Sequence, residues 1–555
     1  MSKTQKKKMT NFLVQGSILA VAGLICRLIG LVYRMPMTLS FKEEGLGYYD
    51  SAYSIYNIAL IVSSYGMPLA VSKLVAAKVA TNEYKNARRV LMGALTFAIT
   101  TGLITSLVVF FGADFFATSI LNSPNSAVPL KVLSPTIFLC AIMGTLRGYF
   151  QGNSTMIPTS VSQILEQIVN AIVSVVATVT FMNIYRHETN RCAYGAAGGT
   201  LGTTSGAIVG LIVLIVIFIS TNKVRKEKIK SDTNEKVDSY KDIFKLILAT
   251  VVPVILSQTL YNLNAVVDRI LFNRMYDASE QVRSIHLGVY AKYVLLVNIP
   301  VAIATALGNS IVPVIVSEKV KGNVEGMKSK IDVAIRFNML IAIPATFGFI
   351  ALAPNIFELL FKGQSTGMSS IMLRIGALAV AFYALSTISN AILQAMNHMS
   401  LPLIHSAISF VVHLGVIVLL LKPGLLLKDG LGIYSLAIGN VVFALGVCIL
   451  NWRSIAKKLQ YKQEIRTTFV IPTIASIVMG VVTFGVAFGT KYGMGQVVHS
   501  SYIANMIATL VAILVAVIVY AIALVAFKGI TKDELMRMPK GNTIYRIFCK
   551  LHLLK

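Results

Sequence analysis

Charged side chains are scarce in this sequence. Only 13% of its 555 residues are Asp, Glu, Lys or Arg, against about 25% in soluble proteins. One membrane span needs about 20 apolar residues, so a chain of this length that is 55% hydrophobic has enough for roughly a dozen spans or more. This composition excludes a soluble multidomain enzyme and a receptor with one membrane anchor. It predicts an all-α polytopic membrane protein.

Acidic residues are the rarer charge type: 23 Asp and Glu stand against 50 Lys and Arg, for a net charge of +27. In a soluble chain this excess would suggest a nucleic-acid partner. Here the basic residues lie mostly in short segments between apolar runs, where they orient helices and contact anionic lipid headgroups. We expect anionic membrane lipids as partners, and no nucleic acid.

Motifs of enzymes and metal sites are missing. The five cysteines are scattered, without a CxxC pair, so no metal site is predicted. There is no GxxxxGKS/T phosphate loop, no HExxH and no GxSxG. The longest polar segment, residues 223–242, is too short for a nucleotide-binding domain. We expect no enzymatic activity and no cofactor, and transport would depend on an ion gradient, the membrane potential or the substrate's own gradient.

Fourteen apolar segments are predicted to span the membrane. They lie at about residues 12–39, 49–80, 88–111, 129–151, 157–184, 197–221, 243–272, 287–317, 331–361, 368–396, 402–421, 431–452, 468–490 and 500–527. Basic residues concentrate at the N-terminus, in every second connecting segment and in the C-terminal tail. By the positive-inside rule, both termini are predicted to be cytoplasmic, in a multi-pass protein of the cell (cytoplasmic) membrane.

An internal repeat relates the two halves of the chain. Three segments recur in order at an offset of 241–245 residues, namely LGYYDSAYSIYNI with LGVYAKYVLLVNI, MPLAVSK with VPVIVSE, and FQGNSTMIPTSVS with LQAMNHMSLPLIHSAIS. A repeat of six spans enters the membrane in the same orientation twice. This predicts two parallel six-helix lobes around a central cavity, with two additional C-terminal helices.

The predicted organisation has six parts. They are an N-terminal lobe (1–222), a charged cytoplasmic linker (223–242), a C-terminal lobe (243–452), a second cytoplasmic linker (453–467), two additional helices (468–527) and a basic cytoplasmic tail (528–555). A monomer of this design already contains the whole cavity, and we expect it to be the functional unit.

Two arginines lie within the first predicted span. Gly23, Arg27, Gly30 and Arg34 share one helix face. Charges at this depth cost about 2.5–3.5 kcal/mol each on insertion scales, which marks them as functional candidates. The guanidinium fork binds phosphate in a bidentate manner, so Arg27 and Arg34 are predicted to bind an anionic, phosphate-bearing substrate. The alternative is that Arg34 reaches the outer surface and Arg27 pairs with an acid such as Glu166.

Three further charges are candidates for the same site. Asp50 begins the second span and could orient one of the arginines, or serve only as a helix N-terminal carboxylate. Arg269 and Lys292 are predicted to bind substrate from the seventh and eighth spans. For Asp268 and Arg269, a structural ion pair or a position near the outer surface is an equal alternative.

Three charges, Arg147, Glu166 and Asp268, are assigned gating or structural roles. Arg147, between Gly148 and Leu146 at the cytoplasmic end of the fourth span, suggests an inner gate or plain positive-inside anchoring. Glu166 lies mid-span in the fifth helix and needs a partner, so a structural or gating pair with an arginine is favoured.

Several motifs resemble a known family. CRLIGLVYRMP (26–36), EEGLGYYDSAYSIYN (43–57), RGYFQG (147–152) and NIPVAIATALGNSIVP (298–313) resemble the MurJ-type lipid II flippases, in the Gram-positive branch that includes YtgP and SpoVB. These proteins belong to the superfamily of multidrug, oligosaccharidyl-lipid and polysaccharide exporters. The resemblance covers essentially the whole chain.

The resemblance implies a function: translocation of an undecaprenyl-diphosphate-linked peptidoglycan precursor, lipid II, from the inner to the outer leaflet by alternating access. Arg27, Arg34 and Asp50 match cavity residues of the family, and the two additional helices resemble its groove for the prenyl tail. The chain departs from the Gram-negative members at Ser63 and Ser64 and at Lys292, which stand where those members have arginines. Part of the cavity charge would then fall to Arg269.

Other functions compete with this one. A flippase for another undecaprenyl-linked glycan would have a substrate that differs from lipid II only in its headgroup. A multidrug or cation antiporter of the same superfamily would more naturally have acids than arginines in its cavity. A scaffold of the division or sporulation machinery would gain nothing obvious from charges within its spans, and a membrane glycosyltransferase would need an acidic catalytic loop that this sequence lacks.

Overall fold

The computed structural model describes residues 3–234, 237–422, 424–425, 430–498 and 500–529. Within this part of the chain the regular structure is helical throughout, with no strand. The predicted basic tail, 528–555, lies almost wholly outside the described residues. Up to the connection at residues 231–239, the helices are α1 (Lys3–Leu60), α2 (Met67–Ala80), α3 (Tyr84–Phe111), the single turn α4 (Ala113–Phe115), α5 (Ala127–Gly152), α6 (Ile157–Ile184), α7 (Arg191–Ser220) and α8 (Asn222–Lys230).

The second half of the chain contributes nine more helices to the described part. They are α9 (Tyr240–Met275), α10 (Glu280–Val320), α11 (Val324–Leu360), α12 (Thr366–Gly376), α13 (Leu378–Ala395), α14 (Ser400–Leu421), α15 (Tyr434–Leu459), α16 (Ile471–Val497) and α17 (Ser501–Ala526). Most boundaries agree with the predicted spans to within a few residues, and α6 coincides with its span. Proline lies in the first turn of α6 and of α16, where its missing N–H costs no hydrogen bond within the helix.

The first two predicted spans are joined in one broken helix. At Lys42 the backbone leaves the helical region (φ 57°, ψ −164°), which divides α1 where the sequence predicts a connection. The second segment continues through a π-helical turn, Ile61–Tyr65, into α2. Pro68 in the first turn of α2 lacks the N–H that would bond to the turn before it, and a π-turn accommodates that loss.

A π-helical turn followed by proline also precedes α16. A π-helical turn, Arg466–Val470, precedes the helix, and Pro472 stands in the first turn of α16. Proline and the preceding wide turn therefore produce similar helix entries in both halves of the chain.

Twelve stretches of the described residues are long and apolar enough to cross a membrane, and one of them, Val21–Ala80, includes the break at Lys42 and the π-helical turn before α2. The all-α polytopic fold is therefore confirmed. Helix α9 matches the predicted seventh span but is not among the twelve, a count that covers the described residues alone. The count of fourteen spans stays a prediction.

Helix packing divides the chain into two compact units, Met1–Gly288 and Val289–Lys555. The division falls inside α10, so α9 packs with the first unit, whereas the repeat assigns it to the second lobe. Hydrogen bonds explain this placement: Asn273 donates to the carbonyl of Leu121 at 2.8 Å, and Glu280 accepts from the Asn125 amide at 2.9 Å. The predicted lobe boundaries follow sequence symmetry instead, and they stay a prediction.

Small residues allow a close contact between α6 and α7 in the first unit. A methyl group added at Gly198 would lie 2.5 Å from the carbonyl oxygen of Ala177, and one at Gly206 would lie 2.5 Å from that of Glu166. Glycines at such contacts let membrane helix backbones approach each other. This contact fixes the position of α6, which carries Glu166.

Candidate functional site

The glycine-arginine face of α1 borders open space. A methyl group added at Gly23 or Gly30 would meet no atom of the described residues within 4 Å. Arg27, between these glycines, is exposed, and Arg34 is half-buried. The two small residues therefore leave room beside the arginines, and no described helix packs closely against them.

Arg34 lies among tyrosines. Its guanidinium carbon is 5.8 Å from the centre of the Tyr49 ring, a cation–π distance. The Tyr49 and Tyr53 rings are 4.5 Å apart, and the Tyr53 and Tyr56 rings 5.4 Å. Tyr53 is anchored by a hydrogen bond to Thr203 of α7. These aromatic rings support the arginine without neutralising its charge.

Two donors in this cluster lack acceptors. The Nε of Arg34 and the hydroxyl of Tyr49 are buried and have no hydrogen-bond partner among the described residues. Within the same part of the chain, no carboxylate forms an ion pair with Arg34. A buried donor without an acceptor costs free energy. An oxygen-rich anion would satisfy both donors.

Asp50 and Arg269 form an ion pair with each other. Both Nε and Nη2 of Arg269 donate to the same Asp50 carboxylate oxygen, at 2.8 and 2.5 Å. Arg269 is 5% exposed and also donates to the carbonyl of Ala265. Asp50 is therefore engaged with α9 and not with Arg27 or Arg34. Asp268, next to Arg269 in sequence, is fully buried.

Arg147 and Glu166 form a second ion pair, which joins α5 to α6. The Nη2 of Arg147 lies 2.6 Å from a Glu166 oxygen, and its Nε donates to the Ser162 hydroxyl at 3.2 Å. Helix α7 closes the other side, since a methyl group at Gly210 would lie 3.3 Å from the same Glu166 oxygen. Glu166 therefore pairs with Arg147, and not with Arg27 as in the alternative.

Lys292 belongs to the second unit. It is 1% exposed, and its Nζ lies 5.0 Å from the centre of the Phe361 ring. The neighbouring Tyr293 donates to the carbonyl of Gly376 at 3.3 Å, and its ring occupies the space that a side chain at residue 376 would need. A glycine there allows α12 to pack against α10.

An apolar groove of about 600 Å³ lies between α11, α16 and α17. Its walls include Pro344, Phe349, Met479 and Val517. Tyr520 also lines the groove, and its hydroxyl donates to the backbone carbonyl of Leu340 at 3.0 Å. The groove therefore presents hydrocarbon surface. The two additional helices, α16 and α17, supply one side of it, where the resemblance predicts a place for a prenyl tail.

The family model of polysaccharide biosynthesis proteins matches residues 13–319, more than half of the chain. The chain belongs to the polysaccharide biosynthesis protein family. The MatE model also matches, over residues 253–419.

Two relatives of this polysaccharide biosynthesis protein come from Bacillus subtilis (strain 168). Lipid II flippase MurJ is 26% identical over 492 residues, which cover 85% of this chain and 88% of MurJ. Stage V sporulation protein B is 26% identical over 539 residues, which cover 95% of this chain and 98% of that protein. The MurJ-type resemblance expected from the motifs is confirmed.

Solved structures share the fold. Lipid II flippase MurJ in an inward closed conformation has a TM-score of 0.66 at 16% identity, over 94% of this chain and 99% of that one. An inward-facing multidrug resistance MATE family transporter of the MOP superfamily has a TM-score of 0.61 at 15% identity, over 79% and 98%. Both likenesses concern the fold alone.

Three tyrosines of the site are not among the residues that the motifs of this family member predicted. Tyr49, Tyr53 and Tyr56 are spaced i, i+4 and i+7, which places them on one helix face. That spacing was visible in YYDSAYSIYN. What sequence could not show is that this face meets Arg34, since the helix is broken at Lys42 between them.

Proposed function

We propose that this protein is a flippase that moves an undecaprenyl-diphosphate-linked glycan, specifically lipid II, from the inner to the outer leaflet. The observation that carries the proposal is Arg34, a cation within a candidate span whose Nε has no acceptor among the described residues. A diphosphate offers several charged oxygens that match a guanidinium fork. The family membership and the similarity to MurJ support the same substrate class.

In this proposal the headgroup and the tail are recognised separately. Arg34, with the exposed Arg27 two turns away, binds the diphosphate, and the tyrosine hydroxyls add donors. The apolar groove of α11, α16 and α17 receives part of the prenyl chain, because an apolar surface contacts a hydrocarbon chain without burying polar groups. Arg269 and Lys292 are proposed as further substrate contacts in other stages of the cycle.

The two ion pairs suit gating roles. Asp50–Arg269 and Arg147–Glu166 each connect different helices, and alternating access requires helices to separate and reassemble. If Arg269 exchanged Asp50 for the substrate diphosphate, substrate binding would favour release of α9 from α1. A ligand shifts such an equilibrium only through differential affinity for the two states.

The test is rescue of a strain depleted of its own lipid II flippase. The parent and Arg186→Ala, which changes an exposed arginine outside the site, should restore growth. Arg34→Ala should not restore it at equal expression and membrane insertion. Rescue by Arg34→Ala would reject the role of this residue, and failure of a well-expressed parent would reject lipid II as the substrate.

A second candidate is a flippase for another undecaprenyl-linked glycan. Ser63 and Ser64 are both buried at positions where the resemblance leads one to expect more cationic charge, so the headgroup site differs from that of the Gram-negative members. Translocation assays in vesicles with lipid II and with another undecaprenyl-diphosphate-linked glycan separate the two candidates. Transport of the second lipid alone would favour this alternative.

A further inference from the structure

A pocket of about 210 Å³ lies between α3, α5 and α8, beside the C-terminal end of α7. We call it the α8 pocket, and its walls include Tyr84, Tyr149, Phe150, Asn153, Arg225 and Lys228. It is separate from the arginine-tyrosine cluster and from the apolar groove. All of its residues belong to the first unit.

The α8 pocket lies at the level of a membrane surface. Three candidate spans have their ends beside it: Tyr84–Phe111 begins, and Pro124–Gly152 and Arg191–Ser220 end, within a few residues of its walls. The topology predicts that this side is cytoplasmic. Anionic lipid headgroups are found at this depth, and Lys and Arg recognise them there.

The cations of the α8 pocket are held by aromatic rings. The guanidinium carbon of Arg225 lies 3.4 Å from the centre of the Phe218 ring, and Phe218 itself packs edge-on against Tyr149 at 5.9 Å. The Nζ of Lys228 is 5.7 Å from the centre of the Tyr84 ring. Stacking orients a guanidinium while leaving its edge available for an anion.

Carboxylates do not balance these cations within the described residues. The pocket walls include Arg225 and Lys228 but no Asp or Glu. Arg225 donates only to neutral oxygens, those of Thr221 at 3.4 Å and Asn222 at 3.3 Å, and both bonds are long. Burial lowers the pKa of Arg225, and the nearby Arg88 cation lowers it further. Positive charge is thus concentrated here, where a bound anion would be stabilised.

We propose that the α8 pocket binds the phosphate of an anionic phospholipid headgroup, such as that of phosphatidylglycerol. The phosphate would lie between the edge of Arg225 and Lys228, with the hydroxyl of Tyr149 and the amide of Asn153 as neutral donors. The bound lipid would attach α8, the first part of the charged linker, to the membrane surface. This inference is independent of the proposed transport substrate.

The experiment uses the full-length protein in detergent, titrated with phosphatidylglycerol, phosphatidylcholine or inorganic phosphate. Bound lipid is counted by native mass spectrometry, and Tm is followed in parallel. The test variant is R225Q/K228Q. The matched control is K223Q/K226Q, which removes the same charge from the same helix at exposed positions that do not line the pocket.

We expect saturable binding of phosphatidylglycerol that weakens about tenfold or more in R225Q/K228Q, from loss of two cations at the headgroup, and less than twofold in K223Q/K226Q. Equal weakening in both variants would mean diffuse surface attraction and overturn the site. Unchanged binding in R225Q/K228Q would overturn it as well. Competition by inorganic phosphate at equal affinity would assign the pocket to a soluble phosphate compound, against the lipid.

Folding of the variants is checked by Tm in lipid-free detergent. If R225Q/K228Q is destabilised, K228Q alone replaces it, because Lys228 is exposed and its loss leaves Arg225 in place. About fivefold weaker phosphatidylglycerol binding is then expected for one lost cation. Unchanged binding in K228Q would overturn the two-cation site.

Discussion

Two arginines of the first unit are held in opposite ways. Arg269 of α9 is almost fully buried and donates hydrogen bonds from Nε and Nη2 to the Asp50 carboxylate. Arg34 of α1 is half-buried, lies over Tyr49 and has no carboxylate partner within the described residues. The first arrangement stabilises helix packing, and the second leaves a cation available for a ligand. Position within a span alone does not distinguish them.

The largest expected effect comes from breaking the Asp50–Arg269 pair. Asp50→Asn removes the carboxylate that accepts two hydrogen bonds from the buried Arg269, and loss of one partner of a buried pair costs about 3–5 kcal/mol. We expect a clear decrease in the Tm of the purified protein in detergent. Asp114→Asn, which changes an exposed carboxylate paired with Lys131, is the control.

The double variant Asp50→Asn/Arg269→Gln sharpens this prediction. Removing both charges should recover part of the lost stability, because losing a whole buried ion pair costs less than losing one of its partners. A double variant as unstable as the sum of the two single variants would show that the pair has no coupling.

Arg34→Gln should decrease transport and leave stability nearly unchanged. No carboxylate in the described residues loses its partner, so the free energy of unfolding should change by less than about 1 kcal/mol, within the range of ordinary substitutions. Substrate transport in vesicles should nevertheless fall at least tenfold, since a charged hydrogen bond to phosphate is lost. Parallel losses of Tm and transport would contradict a role in binding.

The loss of stability from breaking the Arg147–Glu166 pair should lie between the losses expected for Asp50→Asn and Arg34→Gln. The acidic side chains of the two pairs are similarly exposed, 19% for Glu166 and 21% for Asp50. The Arg147 side chain is 14% exposed and that of Arg269 only 7%, so solvent compensates the Arg147 charge better when its partner is removed. We expect Glu166→Gln to cost about 1–3 kcal/mol, as for a hydrogen bond to a charged group. A double-mutant cycle with Arg147→Gln measures the coupling. Zero coupling would mean that the two helices do not depend on this contact.

The smallest effect is expected outside the spans, at Glu83. Hydrogen bonds from Asn86, Lys78 and Thr81 lower its pKa from 4.5 to about 2. The carboxylate therefore stabilises the fold above its unfolded pKa, and this contribution disappears as the pH falls from about 4.5 to 2. Glu83→Gln should reduce the difference in Tm between pH 7 and pH 3.

The control for Glu83 is Glu227→Gln, at an exposed position of α8. It should leave the pH dependence of Tm as in the parent. An identical pH dependence in Glu83→Gln and the parent would contradict a special role of this carboxylate.

Helix positions were largely predictable from hydropathy. The predicted span at 157–184 is α6 itself, and the connection predicted near residue 42 is the break in α1. The pairing of charges was not predictable, because Asp50 and Arg269 lie 219 residues apart. Periodicity assigns a residue to a helix face but does not say which distant helix that face meets.

The sequence by itself determined the polytopic all-α fold, the family and the set of intramembrane charges, since apolar run length and residue type are local properties. Only the tertiary structure decided which of those charges are neutralised. Asp50 and Glu166 each had several arginines within plausible reach, and helix packing selected Arg269 and Arg147. It also gathered Tyr49 and Tyr53 around Arg34 and brought α3, α5 and α8 together around the α8 pocket. Coulomb interactions depend on distances in space, and only packing sets those distances.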